Sequence, residues 1–151
     1  MNMKKYFALP IAALLCLLSL ASCKAGISSK LDADEFPKAQ RIAAIDASGA
    51  ERAVLETEAD IDSFVEAVNI EDWHMEELPE GLQKGGAFIL YQTETITAFM
   101  GDREAEIQEI CTFQCYQDAP YLTVDVGIVD LSIHFSIPQE TADYLQGILE
   151  G

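Results

Sequence analysis

Residues 121–135, Tyr-Leu-Thr-Val-Asp-Val-Gly-Ile-Val-Asp-Leu-Ser-Ile-His-Phe, constrain the fold more than any other stretch of the chain. Apolar and polar residues alternate through this run, the period of strands with one buried and one solvated face. One glycine interrupts the alternation. Gly127-Ile128 suits a two-residue type II′ turn with glycine first, which pairs Val126 with Val129. That register places Leu122, Val124, Val126, Val129, Leu131 and Ile133 on one face. The other face then carries Tyr121 opposite His134, Thr123 opposite Ser132, and Asp125 opposite Asp130.

Other segments read in the same way. Residues 41–46 and 52–56 flank the turn Ala47-Ser48-Gly49-Ala50 and form a first hairpin. Residues 88–92, 95–100 and 109–116 are rich in β-branched and aromatic side chains. Turn residues Gly101-Asp102 and Asp118-Ala119-Pro120 punctuate them. Residues 103–116 also fit a helix through Ile107, Ile110, Cys111 and Cys115, and are taken as strand. Two helices complete the pattern. Thr57 caps the first, with Glu58 and Asp60 in its first turn and an apolar stripe at Ile61, Phe64, Val65 and Val68. The second starts at Ile137-Pro138 and carries Ala142, Leu145, Ile148 and Leu149. An amphipathic helix after antiparallel strands lies on their apolar face. The expected fold is therefore α+β: an antiparallel sheet of five to seven strands with two helices on one face, in the order ββα-βββββ-α. One domain over residues 39–151 contains it.

The first 22 residues are set apart from that domain. Lys4 and Lys5 precede an apolar run over residues 6–20, and Ala21-Ser22 follow as small residues, the order of a secretory signal. The run holds 15 residues, short of the roughly 20 that a spanning helix needs. Leu20-Ala21-Ser22-Cys23 resembles the lipobox of bacterial lipoprotein precursors. The resemblance implies that signal peptidase recognises Leu20, Ala21 and Ser22 and cleaves before Cys23. It also implies that Cys23 carries a diacylglyceryl group and is usually acylated as well. Two or more acyl chains anchor a protein stably without a spanning helix. The implied location is the bacterial cell envelope, outside the cytoplasm. Residues 24–38 then form a flexible tether spanning roughly 20 Å.

Loss of the leader removes two lysines and no acid. The 129 residues from Cys23 onward keep 7 basic and 26 acidic residues, a net charge of −19. Such a surface argues against nucleic-acid binding, and against docking to anionic headgroups without a lipid. It leaves solubility, a cation or a basic partner as readings. Of four cysteines, Cys16 leaves with the leader and Cys23 takes lipid. Cys111 and Cys115 on a strand lie about 13 Å apart, beyond the ~7 Å reach of a disulfide.

Two regions offer candidate contacts. The first is the polar hairpin face of Tyr121, Thr123, Asp125, Asp130, Ser132 and His134. Opposed Asp125 and Asp130 would repel, and either a bound Ca²⁺ or exposure to salty water relieves that. Asp130, Ser132 and His134 do not make a triad, because same-face neighbours on one strand stand nearly 7 Å apart. The second region is the acidic stretch around Trp73 and His74. Trp73 either anchors a contact loop there or packs over one end of the core. The sequence shows no phosphate loop, zinc motif or nucleophile elbow. It favours a non-catalytic binding or accessory module with an envelope protein or ligand as partner. The alternative is a small envelope enzyme or solute- or cation-binding protein using the polar face, recognisable by a deep pocket. No catalytic residue, resident metal or cofactor is expected.

Overall fold

Both helices pack on one side of the sheet, and among the described residues no helix covers its other side. The computed structural model describes residues 39–93 and 104–151. The leader, Cys23, the tether and the strand expected over residues 95–100 with its Gly101-Asp102 turn lie outside them. In chain order the elements are β1 (Arg41–Ile45), β2 (Glu51–Leu55), α1 (Glu58–Val68), β3 (His74–Met75), β4 (Lys84–Thr93), β5 (Ile107–Tyr116), β6 (Tyr121–Val126), β7 (Leu131–Ser136) and α2 (Gln139–Glu150). Among the described residues, seven strands form one antiparallel sheet in the order β2-β1-β4-β5-β6-β7-β3. The α+β architecture with two helices is the expected one.

Local chemistry starts most of these elements. Asp46 closes the β1–β2 turn, accepting from the Ser48 hydroxyl and from the Ser48 and Ala50 amides at 2.6, 2.8 and 3.0 Å. Gly49 takes φ +87° there, a backbone that favours glycine. Thr57 caps α1 as expected, its hydroxyl accepting from the Asp60 amide at 3.1 Å. Asn69 ends that helix in the left-handed region at φ +39°. Of the ambiguous residues 103–116, Ile107–Tyr116 are strand, because β5 pairs with β4 on one side and β6 on the other, whereas residues 104–106 are irregular. Pro138 sits one residue earlier than expected, at the cap of α2 and not in its first turn.

The core lies between the helices and one sheet face. Phe64, Phe88, Phe113, Leu122 and Val124 are fully buried there. Phe64 of α1 meets Phe88 of β4 and Tyr144 of α2, with ring centroids 5.3 and 6.3 Å apart. Each such side chain contributes about 1.5–3 kcal/mol by leaving water. Gly85 and Gly86 both lie within β4. Among the described residues, no helix is long and apolar enough to cross a membrane.

The β6–β7 turn corrects the expected hairpin. A 3₁₀ turn over Gly127–Val129, closed by Asp130 at φ +49°, replaces the two-residue turn. Val126 consequently pairs with Leu131, and every later pair moves by two residues. Val129 leaves the strand for solvent, and Phe135 joins the core opposite Leu122. Strand period explains the mixed outcome: a shift of two changes partners and keeps faces.

Candidate functional site

The register of the three strands β5, β6 and β7 builds the open polar face. Thr112 stands opposite Asp125, and Gln114 opposite Thr123. Across the next pair, Tyr121 meets Ser136, Thr123 meets His134, and Asp125 meets Ser132. The intervening residues, among them Phe113, Leu122, Val124 and Phe135, are buried against the helices. Alternation along three neighbouring strands thus gathers hydroxyl, amide and imidazole groups on one surface.

At its centre, Thr123 Oγ1 lies 2.8 Å from Tyr116 Oη and 2.8 Å from His134 Nδ1. Thr123 is 5% exposed, so both contacts satisfy a hydroxyl cut off from water. One proton on each hydroxyl gives the chain a direction. With neutral imidazole accepting at Nδ1, Tyr116 donates to Thr123 and Thr123 donates to His134. With imidazolium, Nδ1–H donates to Thr123, which then donates to Tyr116. Among the described residues, His134 Nε2 makes no hydrogen bond.

Beside this chain, Asp125 Oδ1 accepts from Ser132 Oγ. Thr112 Oγ1 donates to Glu109 Oε1 at 2.7 Å, and Gln114 Nε2 donates to the Gly86 carbonyl at 2.9 Å. These bonds fix side-chain rotamers over most of the surface. A partner meeting such a surface loses less entropy on binding than one meeting free side chains.

Five of the six expected face residues come together here: Tyr121, Thr123, Asp125, Ser132 and His134. Asp130 does not. It sits in the turn, so the predicted Asp125–Asp130 opposition is corrected to an Asp125–Ser132 hydrogen bond. The repulsion that suggested a Ca²⁺ site disappears with it. Among the described residues, no three His, Cys, Asp or Glu side chains are grouped to hold a metal ion. Thr123 and His134 do stand at nucleophile–base distance. Yet the hydroxyl is buried and its other side is taken by Tyr116, which leaves no room for a reacting atom.

Tyr116 and Gln114 were missed as members of this surface. They share parity with Thr112 on β5, and that parity becomes meaningful only once β5 is known to lie beside β6.

The second candidate region divides. Trp73 is in the core, the packing alternative of the two, so it is not the contact anchor. Its Nε1 donates to the Val68 carbonyl at 2.7 Å, and its ring lies 5.5 Å from Phe113 and 5.6 Å from Phe135. His74 is exposed on the short edge strand β3, opposite Ser136. Cys111 and Cys115 both lie on β5, and an extended strand cannot bridge positions four apart. Burial pushes the Cys115 thiol up to about 12, which keeps it neutral and unreactive near neutral pH.

Comparison with protein-family models finds no match, and comparisons with curated proteins and with solved structures find none either.

Proposed function

We propose that the chain is a bacterial lipoprotein, anchored outside the cytoplasm through Cys23, whose domain is a non-catalytic binding module. Its partner, an envelope protein or ligand, is engaged by the open face of β5, β6 and β7. The lipobox supports the anchoring. The Tyr116–Thr123–His134 hydrogen-bond chain carries the binding reading, because it holds a polar sheet surface in one arrangement on the side the helices leave open.

Cell fractionation of a Cys23→Ser variant tests the anchor. The variant leaves the membrane fraction if Cys23 carries the lipid, and a protein that remains membrane-bound overturns the assignment. For the face, Tyr121→Ala and Ser132→Arg in the detergent-solubilised lipoprotein should abolish co-purification of its partner. Glu58→Gln and Asp62→Asn on exposed positions of α1 serve as controls. Equal recovery from face and control variants, all folded by circular dichroism, removes the face from consideration.

A further inference from the structure

β3 covers only part of the outer edge of β7. His74 pairs with Ser136 and Met75 with Phe135. The Glu76 amide then donates to the His134 carbonyl at 3.1 Å, so that carbonyl points away from β6. Backbone groups two residues apart on a strand point the same way, and the Ser132 N–H and C=O therefore face outward too. Among the described residues, no strand pairs with Leu131, Ser132 or Ile133 on this side.

This uncovered stretch lacks the usual guard of an edge. At the opposite margin of the sheet, β2 carries Glu51 and Arg52, charges of the kind that keep an edge from recruiting another strand. Leu131, Ser132 and Ile133 carry none. Large apolar side chains are instead exposed around them. Met75 is 53% exposed, Leu131 47%, and Val129 in the adjoining turn 64%. Met75 shares the helix side of the sheet with its partner Phe135, and strand period puts Leu131 on that side as well.

Charge decides what covers the edge. Asp130 precedes it, Glu76 stands at its far end, and the Asp125 carboxylate reaches across to accept from Ser132 Oγ. The basic side chains among the described residues, Arg41, Arg52 and Lys84, lie on β1, β2 and β4. A second copy brings the same acids to the same edge, where like charges repel. An anionic bilayer is repelled for the same reason. The complement is an extended chain with alternating apolar and cationic side chains.

We propose that the free edge of β7 takes up such a segment of a basic partner protein as an added strand. Its backbone bonds the Ser132 N–H and C=O. Its apolar side chains cover Leu131 and Met75, and its cations meet Asp130 and Glu76. The edge uses the backbone of Ser132 and not its hydroxyl, so the inference does not rest on the polar face.

Titration calorimetry of the detergent-solubilised full mature chain with acetyl-Lys-Val-Lys-Val-Lys-Val-Lys-amide, at 0.15 M salt to screen diffuse attraction, tests it. Saturable one-to-one binding is expected. Successive amides of an added strand face opposite ways, so N-methylating the valines and N-methylating the lysines should differ: one peptide loses binding and the other keeps it. Ser132→Pro removes the outward N–H, a change that edge strands tolerate, and should weaken binding at least about tenfold. Met75→Ser with Leu131→Ser should weaken it about tenfold through lost apolar cover. Glu58→Gln with Asp62→Asn, on α1, should leave it within about twofold. The methylated peptides keep the test decisive on the unaltered chain even if a variant fails to fold. Absence of saturable binding, equal behaviour of the two methylated peptides, or equal affinity for the peptide with glutamate in place of lysine overturns the proposal. A dimer of the free chain that Ser132→Pro dissociates overturns it in favour of a second copy.

Discussion

Gly86 of β4 passes directly beneath Leu149 of α2. A Cβ at Gly86 would stand 2.8 Å from Leu149 Cδ2 and 2.5 Å from the Ile45 carbonyl oxygen. A leucine tip can swing aside, but a backbone carbonyl held in the β1–β4 ladder cannot. The glycine is thus required by close approach and not by its own φ. It sets how tightly the end of α2 closes on the sheet.

Gly86→Ala should destabilise the domain by about 1–3 kcal/mol, the range for inserting a methyl into a packed site. Adding Leu149→Ala should not restore stability, because the carbonyl clash remains and a core leucine is lost. Urea denaturation followed by circular dichroism measures both. Recovery in the double variant would place the conflict at Leu149 alone.

Trp73→Phe should cost about 2–4 kcal/mol. The substitution removes the buried hydrogen bond to the Val68 carbonyl and leaves space beside Phe113 and Phe135. A loss below 0.5 kcal/mol in the same denaturation assay would contradict the core position of the ring.

Thr123→Val should cost about 1–3 kcal/mol, since it keeps the volume and leaves Tyr116 Oη and His134 Nδ1 without their shared partner. Thr123→Ser should stay close to wild type. Nitrogen chemical shifts of His134 should report altered hydrogen bonding at Nδ1 in the valine variant only. Indistinguishable spectra would separate His134 from the chain.

The Cys115 thiol gives stability an alkaline limit. Burial raises it from 9.0 to about 12 in the folded protein. Below pH 9 both states keep the proton, and the thiol adds no pH dependence. Between pH 9 and 12 the unfolded state loses the proton first, so stability falls as pH rises, by at most about 1.4 kcal/mol per unit. Burial of Tyr144 raises its hydroxyl too and adds to the fall. Denaturant midpoints from pH 8 to 11 should decline less steeply in Cys115→Ala than in wild type. Parallel profiles would show that the thiol is not the source.

Local signals were legible where the cause is local. The Thr57 cap, the stripe of Ile61, Phe64 and Val68, and the inward residues of β6 and β7 each follow from a few neighbouring side chains. The polar surface was half legible. Its β6 and β7 members alternate visibly, whereas Tyr116 and Gln114 join it from a strand whose neighbours no local pattern names. The Gly127 turn was misread because Asp130 adopts the left-handed conformation and lengthens the connection to a 3₁₀ turn. Trp73 was undecidable locally, since its acidic surroundings are those of an exposed loop. Phe113 and Phe135, far along the chain, provide its pocket.

By itself, the sequence determined which side of β6, β7 and the two helices faces the core. That property has a period of two or 3.6 residues and survives a register shift of two. Tertiary structure alone decided who meets whom: Thr123 with His134 and Tyr116, Asp125 with Ser132 and not Asp130, and Gly86 with Leu149. Those pairings depend on turn geometry, strand order and the seat of α2. Each is fixed by packing summed over the whole sheet, which no single segment encodes.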